Sequence, residues 1–203
     1  QAHLSKKAPL AYARAAYSLG LADELSGETE SAVREYLRSS DLAQSIDVLF
    51  LAINARCAAA QAQISQGELR LAAQTCHQAL QMADEQQIAP LGLPRSILGA
   101  IAYEQDDLRA AEKYLLEGIE RSQQGGLQDD LISGFVFLAR LKYAQGDPSA
   151  AFAALEQANA IVQAYHIPRL STLGAAYLAR LQLATGQTGA ATQWAKQYQS
   201  ARQ

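Results

Sequence analysis

The sequence predicts an all-α fold, an α-solenoid of about five helix-turn-helix hairpins, and three observations carry that prediction. The composition favours helix, small residues recur with a period close to 40 residues, and several predicted helices are apolar on more than one face.

Ala accounts for 41 of the 203 residues, Leu and Gln are frequent, and β-branched residues are sparse. Ala and the unbranched side chains lose the least conformational freedom on entering a helix, so this bias is itself a helical signal. Hydrophobic residues make up 49% of the chain and only 5 residues are Pro, which excludes a disordered or fibrous class. A chain of this length can bury a substantial core.

The period is read from the turn residues Gly27, Gly67, Asp106, Gly146 and Gly186, whose spacings are 40, 39, 40 and 40. Seven positions before each stands a small residue: Gly20, Ala60, Gly99, Ala139 and Ala179. Five positions after each stands an alanine: Ala32, Ala72, Ala111, Ala151 and Ala191. One step before the first small column, four repeats carry leucine (Leu19, Leu98, Leu138, Leu178), with Ala59 the exception. Ala is so abundant that one column means little, but three columns held across five copies define a repeat. Two antiparallel helices joined by a tight turn approach closely only where small side chains meet, and the leucine column supplies core contact beside that crossing. The arrangement resembles the tetratricopeptide (TPR) hairpin, whose period is about 34 residues; the extra residues lengthen the second helix and the connection onward. The expected architecture is therefore a right-handed superhelical TPR-like solenoid.

The first (A) helices are expected near 9–25, 47–66, 92–105, 128–145 and 168–185, and the second (B) helices near 28–45, 68–86, 107–123, 148–165 and 187–201. Repeats then run over about 9–46, 47–86, 92–125, 128–166 and 168–201, forming one domain across 1–203. Asp147-Pro148 reads as an N-cap followed by Pro at the first helical position. Gly125-Gly126 and the Pro-bearing stretches Ile88 to Pro94 and His166 to Pro168 read as helix ends. Leu131, Phe135, Leu138 and Leu141 form one apolar stripe, and Ile132, Val136, Ala139 and Tyr143 form another. A lone amphipathic helix needs one stripe; a helix between its partner and the next repeat needs two. The stack curves to leave a concave face lined mainly by A helices. The last helix, with Trp194 and Tyr198, is expected to present apolar surface at which a further segment or a second copy could pack.

The formal net charge is −3, with Lys and Arg scattered singly. Nucleic-acid binding normally needs a clustered basic stripe, so none is expected of this segment. Apolar runs such as Val48 to Ile53 and Gly134 to Ala139 are too short to span a bilayer. Cys57 and Cys76 read as small buried hydrophobes in a reducing, cytoplasmic setting rather than a disulfide framework. QAHLSKKAPL lacks the apolar core of a secretory signal. The numbering starts at Gln1 without a Met, which reads as a piece of a longer protein.

Catalytic signatures are missing: there is no GxxxxGK[ST] loop, HExxH helix, GxSxG elbow or EF-hand loop. His3, His77 and His166 stand apart, without partners at ligand spacing, so neither a metal nor a cofactor is expected. Asp106-Asp107 and Asp129-Asp130 precede helix starts, where carboxylates satisfy free N–H groups and favour the positive end of the helix dipole. The chain therefore reads as a non-enzyme. A helical-toroid glycan hydrolase, which would need facing carboxylates in a central cavity, is the alternative that remains.

By register, the residues expected to face the concave groove are Arg14, Tyr17 and Glu24 in the first repeat, and Asn54 and Gln61 in the second. Ser96, Tyr103 and Glu104 follow in the third, then Arg140, Tyr143 and Arg180. Tyr103 and Tyr143 share one repeat position, as do Arg140 and Arg180. Tyr and Arg together can stack on a sugar or peptide and hydrogen-bond it. The groove is expected to hold a small effector or a protein or peptide partner.

YEQDDLRAAEKYLLEGIERSQQGG (Tyr103 to Gly126) and FLARLKYAQGDPSAAFAALEQANAI (Phe137 to Ile161) resemble the helical-repeat region of MalT-type regulators, large ATP-dependent bacterial activators ending in a LuxR-type helix-turn-helix. In that family a nucleotide-binding module precedes the repeats and a DNA-binding domain follows. The repeats sense the inducer and take part in self-association. The resemblance implies that this chain is the sensor region and that ATP and DNA binding belong to flanking segments. A free-standing scaffold that binds a protein or peptide, with no transcriptional role, is the competing reading.

Overall fold

The computed structural model describes the backbone of residues 7–85, 91–166 and 168–200, and the side chains of 8–84, 91–166 and 174–196. Ten helices occupy the described residues: α1 (Lys7–Leu25), α2 (Thr29–Gln44), α3 (Leu49–Ser65), α4 (Leu69–Glu85), α5 (Leu93–Glu104), α6 (Leu108–Gly125), α7 (Gln128–Ala144), α8 (Pro148–Tyr165), α9 (Pro168–Ala184) and α10 (Thr188–Ser200). Odd-numbered helices are the A helices and even-numbered ones the B helices of five hairpins. No strand occurs among the described residues, and the fold is an α-solenoid.

The five turn residues share one backbone state. Gly27, Gly67, Asp106, Gly146 and Gly186 have φ of 84°, 77°, 62°, 81° and 80°, all left-handed. The residue after each donates its N–H five positions back, as in Glu28 to Asp23 (2.8 Å), Glu68 to Gln63 (2.9 Å), Asp107 to Ala102 (2.9 Å), Asp147 to Lys142 (2.9 Å) and Gln187 to Gln182 (2.7 Å). This is the Schellman closure, and it explains why glycine fills four of the five positions. The following B helices start on caps where the sequence provides them. The carboxylates of Asp107 and Asp147 accept from the N–H groups of Ala110 (3.0 Å) and Ala150 (2.9 Å). Two connections between hairpins end similarly: Gly126 and Asp47 are left-handed, with Leu127 donating to Ser122 and Val48 to Ala43 at 2.9 Å.

Inside each hairpin the small columns meet. Ala60, Ala139 and Ala179 are buried, as are all five alanines of the second column. A Cβ on Gly99 would stand 2.6 Å from Leu115 Cγ, so α5 and α6 are closer than an alanine would allow. The leucine column divides. Leu98 is buried and Leu138 and Leu178 pack on the core, but Leu19 is 53% exposed, against expectation. Among the described residues no helix precedes α1 to cover that face.

Each helix packs on its neighbours in sequence, and α3 also touches α5, α5 touches α7, and α7 touches α9. The B helices make no comparable contact with one another among the described residues. The A helices therefore form the inner layer, and the surface they share is where a ligand would meet several repeats at once. Among the described residues no helix is long and apolar enough to cross a membrane.

Candidate functional site

The inner face carries a groove of about 520 Å³ whose walls come from the A helices of four successive hairpins. Tyr17 of α1, Phe50, Asn54 and Gln61 of α3, and Leu93 of α5 face Asp129, Asp130 and Ser133 of α7, with Tyr165 at the end of α8. A smaller hollow beside it shares Tyr17, Phe50 and Asn54 and adds Arg14. Phe50 and Tyr165 are 52% and 59% exposed, so two aromatic faces are turned to solvent here. Tyr17 stacks obliquely on the buried Tyr36, with ring centroids 5.3 Å apart, which anchors its position.

Asp130 is the electrostatically unusual member. It is 9% exposed, and its carboxyl is pushed up to about 6. Burial is the leading cause and the neighbouring Asp129 adds to it, while a hydrogen bond from the Leu93 backbone opposes it. The carboxyl on this groove wall therefore holds its proton to a higher pH than a solvated aspartate does.

A second groove of about 280 Å³ lies at the other end of α5 and α7. Here Tyr103, Arg140, Tyr177 and Arg180 form an alternating stack. The Arg140 guanidinium lies 4.9 Å from the Tyr103 ring centre and 5.9 Å from that of Tyr177, and Arg180 lies 5.6 Å from the Tyr177 ring. Arg140 also donates to Glu104 at 2.9 Å, and the Tyr143 hydroxyl donates to the Ala184 carbonyl at 3.4 Å. Leu155, Leu181 and Ala184 supply the apolar floor.

The structure thus divides the residues expected to face one groove between two. Tyr17, Asn54 and Gln61 gather at the first, with Arg14 in the hollow beside it; Tyr103, Arg140, Tyr143 and Arg180 gather at the second, with Glu104 at its edge. Two lie elsewhere. Ser96 is fully buried in the seam where α5 meets α6 and α7, its Oγ 2.5 Å from where a Cβ on Gly118 would stand, so it faces no groove. Glu24 accepts from the Tyr36 hydroxyl at 2.7 Å within its own hairpin and lines neither groove.

Sequence reasoning missed Phe50, Asp129, Asp130 and Tyr165 in the first groove and Tyr177 in the second. Asp129 and Asp130 occupy the first turn of α7, at the positive end of its dipole, but the N-cap is Leu127, which supplies no side-chain cap, and Asp130 accepts from the Leu93 backbone; both residues wall the groove. Among the described residues no group of three or more His, Cys, Asp and Glu side chains could hold a metal. His77 is exposed, His166 caps α8 with a left-handed φ of 52°, and His3 lies outside the described residues. Both cysteines are free and buried; burial pushes the Cys57 thiol well up and the Cys76 thiol up to about 12. Trp194 is half-buried on α10, and the side chain of Tyr198 lies outside the described residues.

The family model described as the MalT-like TPR region matches residues 2–203. No curated protein matches in sequence. Among solved structures, BtubC from P. vanneervenii is similar at 19% identity and a TM-score of 0.59, covering 100% of this chain and 91% of that one. Pseudomonas aeruginosa PilF is similar at 21% identity and a TM-score of 0.59, covering 93% and 75%. A Signal Transduction ATPase with Numerous Domains from Pyrococcus horikoshii, described as having a tetratricopeptide repeat sensor, is similar at 13% identity and a TM-score of 0.63. That likeness covers 91% of this chain and 28% of the ATPase. At these identities the likenesses concern the fold.

Proposed function

The chain belongs to the family of MalT-like TPR regions, and we propose that it serves as the ligand-sensing and protein-interaction region of a LuxR-class, MalT-type bacterial transcriptional regulator. The observation that carries this reading is the first groove, which draws its walls from α1, α3, α5 and α7. The curvature of a solenoid is the sum of small rotations between neighbouring repeats. A ligand touching four hairpins therefore has different affinity for different curvatures, and that difference is the only means by which it can shift an equilibrium. The volume of about 520 Å³ falls within the range of small-molecule sites, about 300–1,000 Å³.

In this reading the chain works in the cytoplasm. ATP hydrolysis and DNA binding belong to flanking modules, and this segment contributes effector binding and self-association without catalysis. The similarity to a signalling ATPase with a TPR sensor supports that arrangement.

A thermal-shift screen of sugars, amino acids, nucleotides and peptides tests it. Ligand at about 100 times its dissociation constant adds about 2.7 kcal/mol of stability. The expected result is a shift that Tyr17→Ala and Gln61→Ala each reduce. A screen in which nothing shifts the wild type, or in which both variants respond in full, would sink the sensor reading.

A second reading, a free-standing scaffold for a protein or peptide, is favoured by the likeness to BtubC, which covers 91% of that chain and so shows a similar solenoid making up most of a protein. The complete reading frame separates the two. A GxxxxGK[ST] loop upstream and a helix-turn-helix downstream support the regulator, and their absence supports the scaffold.

A further inference from the structure

The second groove contains a half-site that the repeat copies with one substitution. Tyr103, Glu104 and Arg140 stand three and two positions before one turn residue and six before the next; one repeat later the same positions hold Tyr143, Ala144 and Arg180. In the first copy the arginine is complete. Arg140 stacks on Tyr103 at 4.9 Å and its guanidinium donates to the Glu104 carboxylate at 2.9 Å.

In the second copy the arginine lacks the carboxylate and stacks on a different ring, that of Tyr177 on its own helix, in place of Tyr143, the repeat equivalent of Tyr103. Arg180 lies 5.6 Å from the Tyr177 ring, and among the described residues it forms no ion pair or hydrogen bond. Ala144 presents a methyl group where Glu104 presents a carboxylate, and both Ala144 and Arg180 are exposed. Stacking covers one face of a guanidinium and leaves its edge N–H groups as the available donors, the geometry that suits a carboxylate.

We propose that this groove docks an acidic segment of a partner protein, with a glutamate side chain bonded to Arg180 as Glu104 is bonded to Arg140. Three observations choose this occupant. Glu104 shows which group the equivalent arginine takes. Arg140 is already neutralised by it, so the groove presents one net positive charge, which matches a carboxylate better than a doubly charged phosphate. Beside Arg180 the floor is apolar, formed by Leu155, Leu181 and Ala184. A volume of about 280 Å³ accommodates the glutamate and one apolar neighbour, the way a docked segment would sit. The inference rests on reading the region as an interaction surface, but it uses a different groove from the sensor test.

The experiment uses an array of heptapeptides with a fixed central glutamate and varied apolar neighbours, each paired with its glutamine twin. The wild-type chain should retain a subset of the glutamate peptides about tenfold more strongly than their twins. Arg180→Gln should lose that preference. Ala144→Glu should also lose it, because the new carboxylate takes the Arg180 site from within, while its melting temperature stays at or above wild type. That variant keeps the test meaningful if Arg180→Gln is poorly folded. Absence of any glutamate preference, or an Ala144→Glu protein that binds like wild type, overturns the proposal. Equal competition by free glutarate overturns the peptide part, since the site would then serve a small acid. None of these outcomes bears on a ligand lost through Tyr17→Ala or Gln61→Ala.

Discussion

Gly20 faces the ring of Tyr36 so closely that a Cβ there would stand 2.8 Å from Cδ1. Tyr36 is 1% exposed and its hydroxyl is tied to Glu24 at 2.7 Å, so the ring cannot swing away cheaply. Gly20→Ala gains roughly 1 kcal/mol of helix propensity but meets an overpacking cost of about 1–3 kcal/mol. A net loss of up to about 2 kcal/mol is expected from denaturant melts. Gly174 is the control: it lies inside α9, and a Cβ there would meet nothing within 4 Å among the described residues. Gly174→Ala should therefore stabilise, by up to about 1 kcal/mol.

The turns give a second pair of opposite signs. Asp106 holds the left-handed φ of 62° that glycine holds in the other four repeats. Asp106→Gly should raise stability by up to about 1 kcal/mol by relieving that conformation. Gly67, at φ 77° with open space around it, should cost about 1 kcal/mol when changed to alanine, for backbone reasons alone. Urea midpoints of the two variants measure both.

Asp130 makes stability depend on pH. Its folded value of about 6 exceeds the ordinary 3.8, so the native state holds this proton more tightly than the unfolded chain. Its contribution is most favourable below the ordinary value, declines as pH rises from about 3.8 to about 6, and is level above that window. The cost at neutral pH is on the order of 3 kcal/mol. Asp130→Asn keeps an oxygen that can accept from Leu93 and removes the charge. Its melting temperature should exceed wild type at pH 8 and match it near pH 3.5. An equal difference at both pH values would remove the electrostatic explanation.

Arg140→Lys tests the stack. Lysine keeps the charge and can reach Glu104, but it loses the planar group held between Tyr103 and Tyr177. A loss of about 0.5–1 kcal/mol is expected from urea unfolding, with Arg140→Gln losing more.

The register in the sequence carried the hairpins, the turn positions and the small columns that meet inside them, because each depends on contacts within one repeat. It also brought Tyr103, Arg140, Tyr143 and Arg180 together, since these lie on A helices that touch directly. It did not reveal that Asp130 faces Tyr17 and Gln61 across a groove. That placement depends on the summed rotation of several hairpins, which no local spacing records. Asp129-Asp130 looked like helix-start chemistry, and their place in the first turn of α7 fits the dipole part of that reading, so nothing in the pattern flagged a role in the groove. Ser96 misled for a related reason. Register assigned it to the inner face, but Gly118 and Gly134 let α6 and α7 close over it.

The central claim, that a ligand in the first groove changes the curvature of the stack, is tested most directly by a distance across it. Spin labels on Glu28→Cys and Gln187→Cys sit at the first and last A–B turns, both exposed. The native Cys57 and Cys76 are buried and held as thiols, so labelling favours the new sites. With a ligand that stabilises the wild type and requires Tyr17 and Gln61, the distance distribution between the labels should shift or narrow. An unchanged distribution at saturating ligand would contradict the claim.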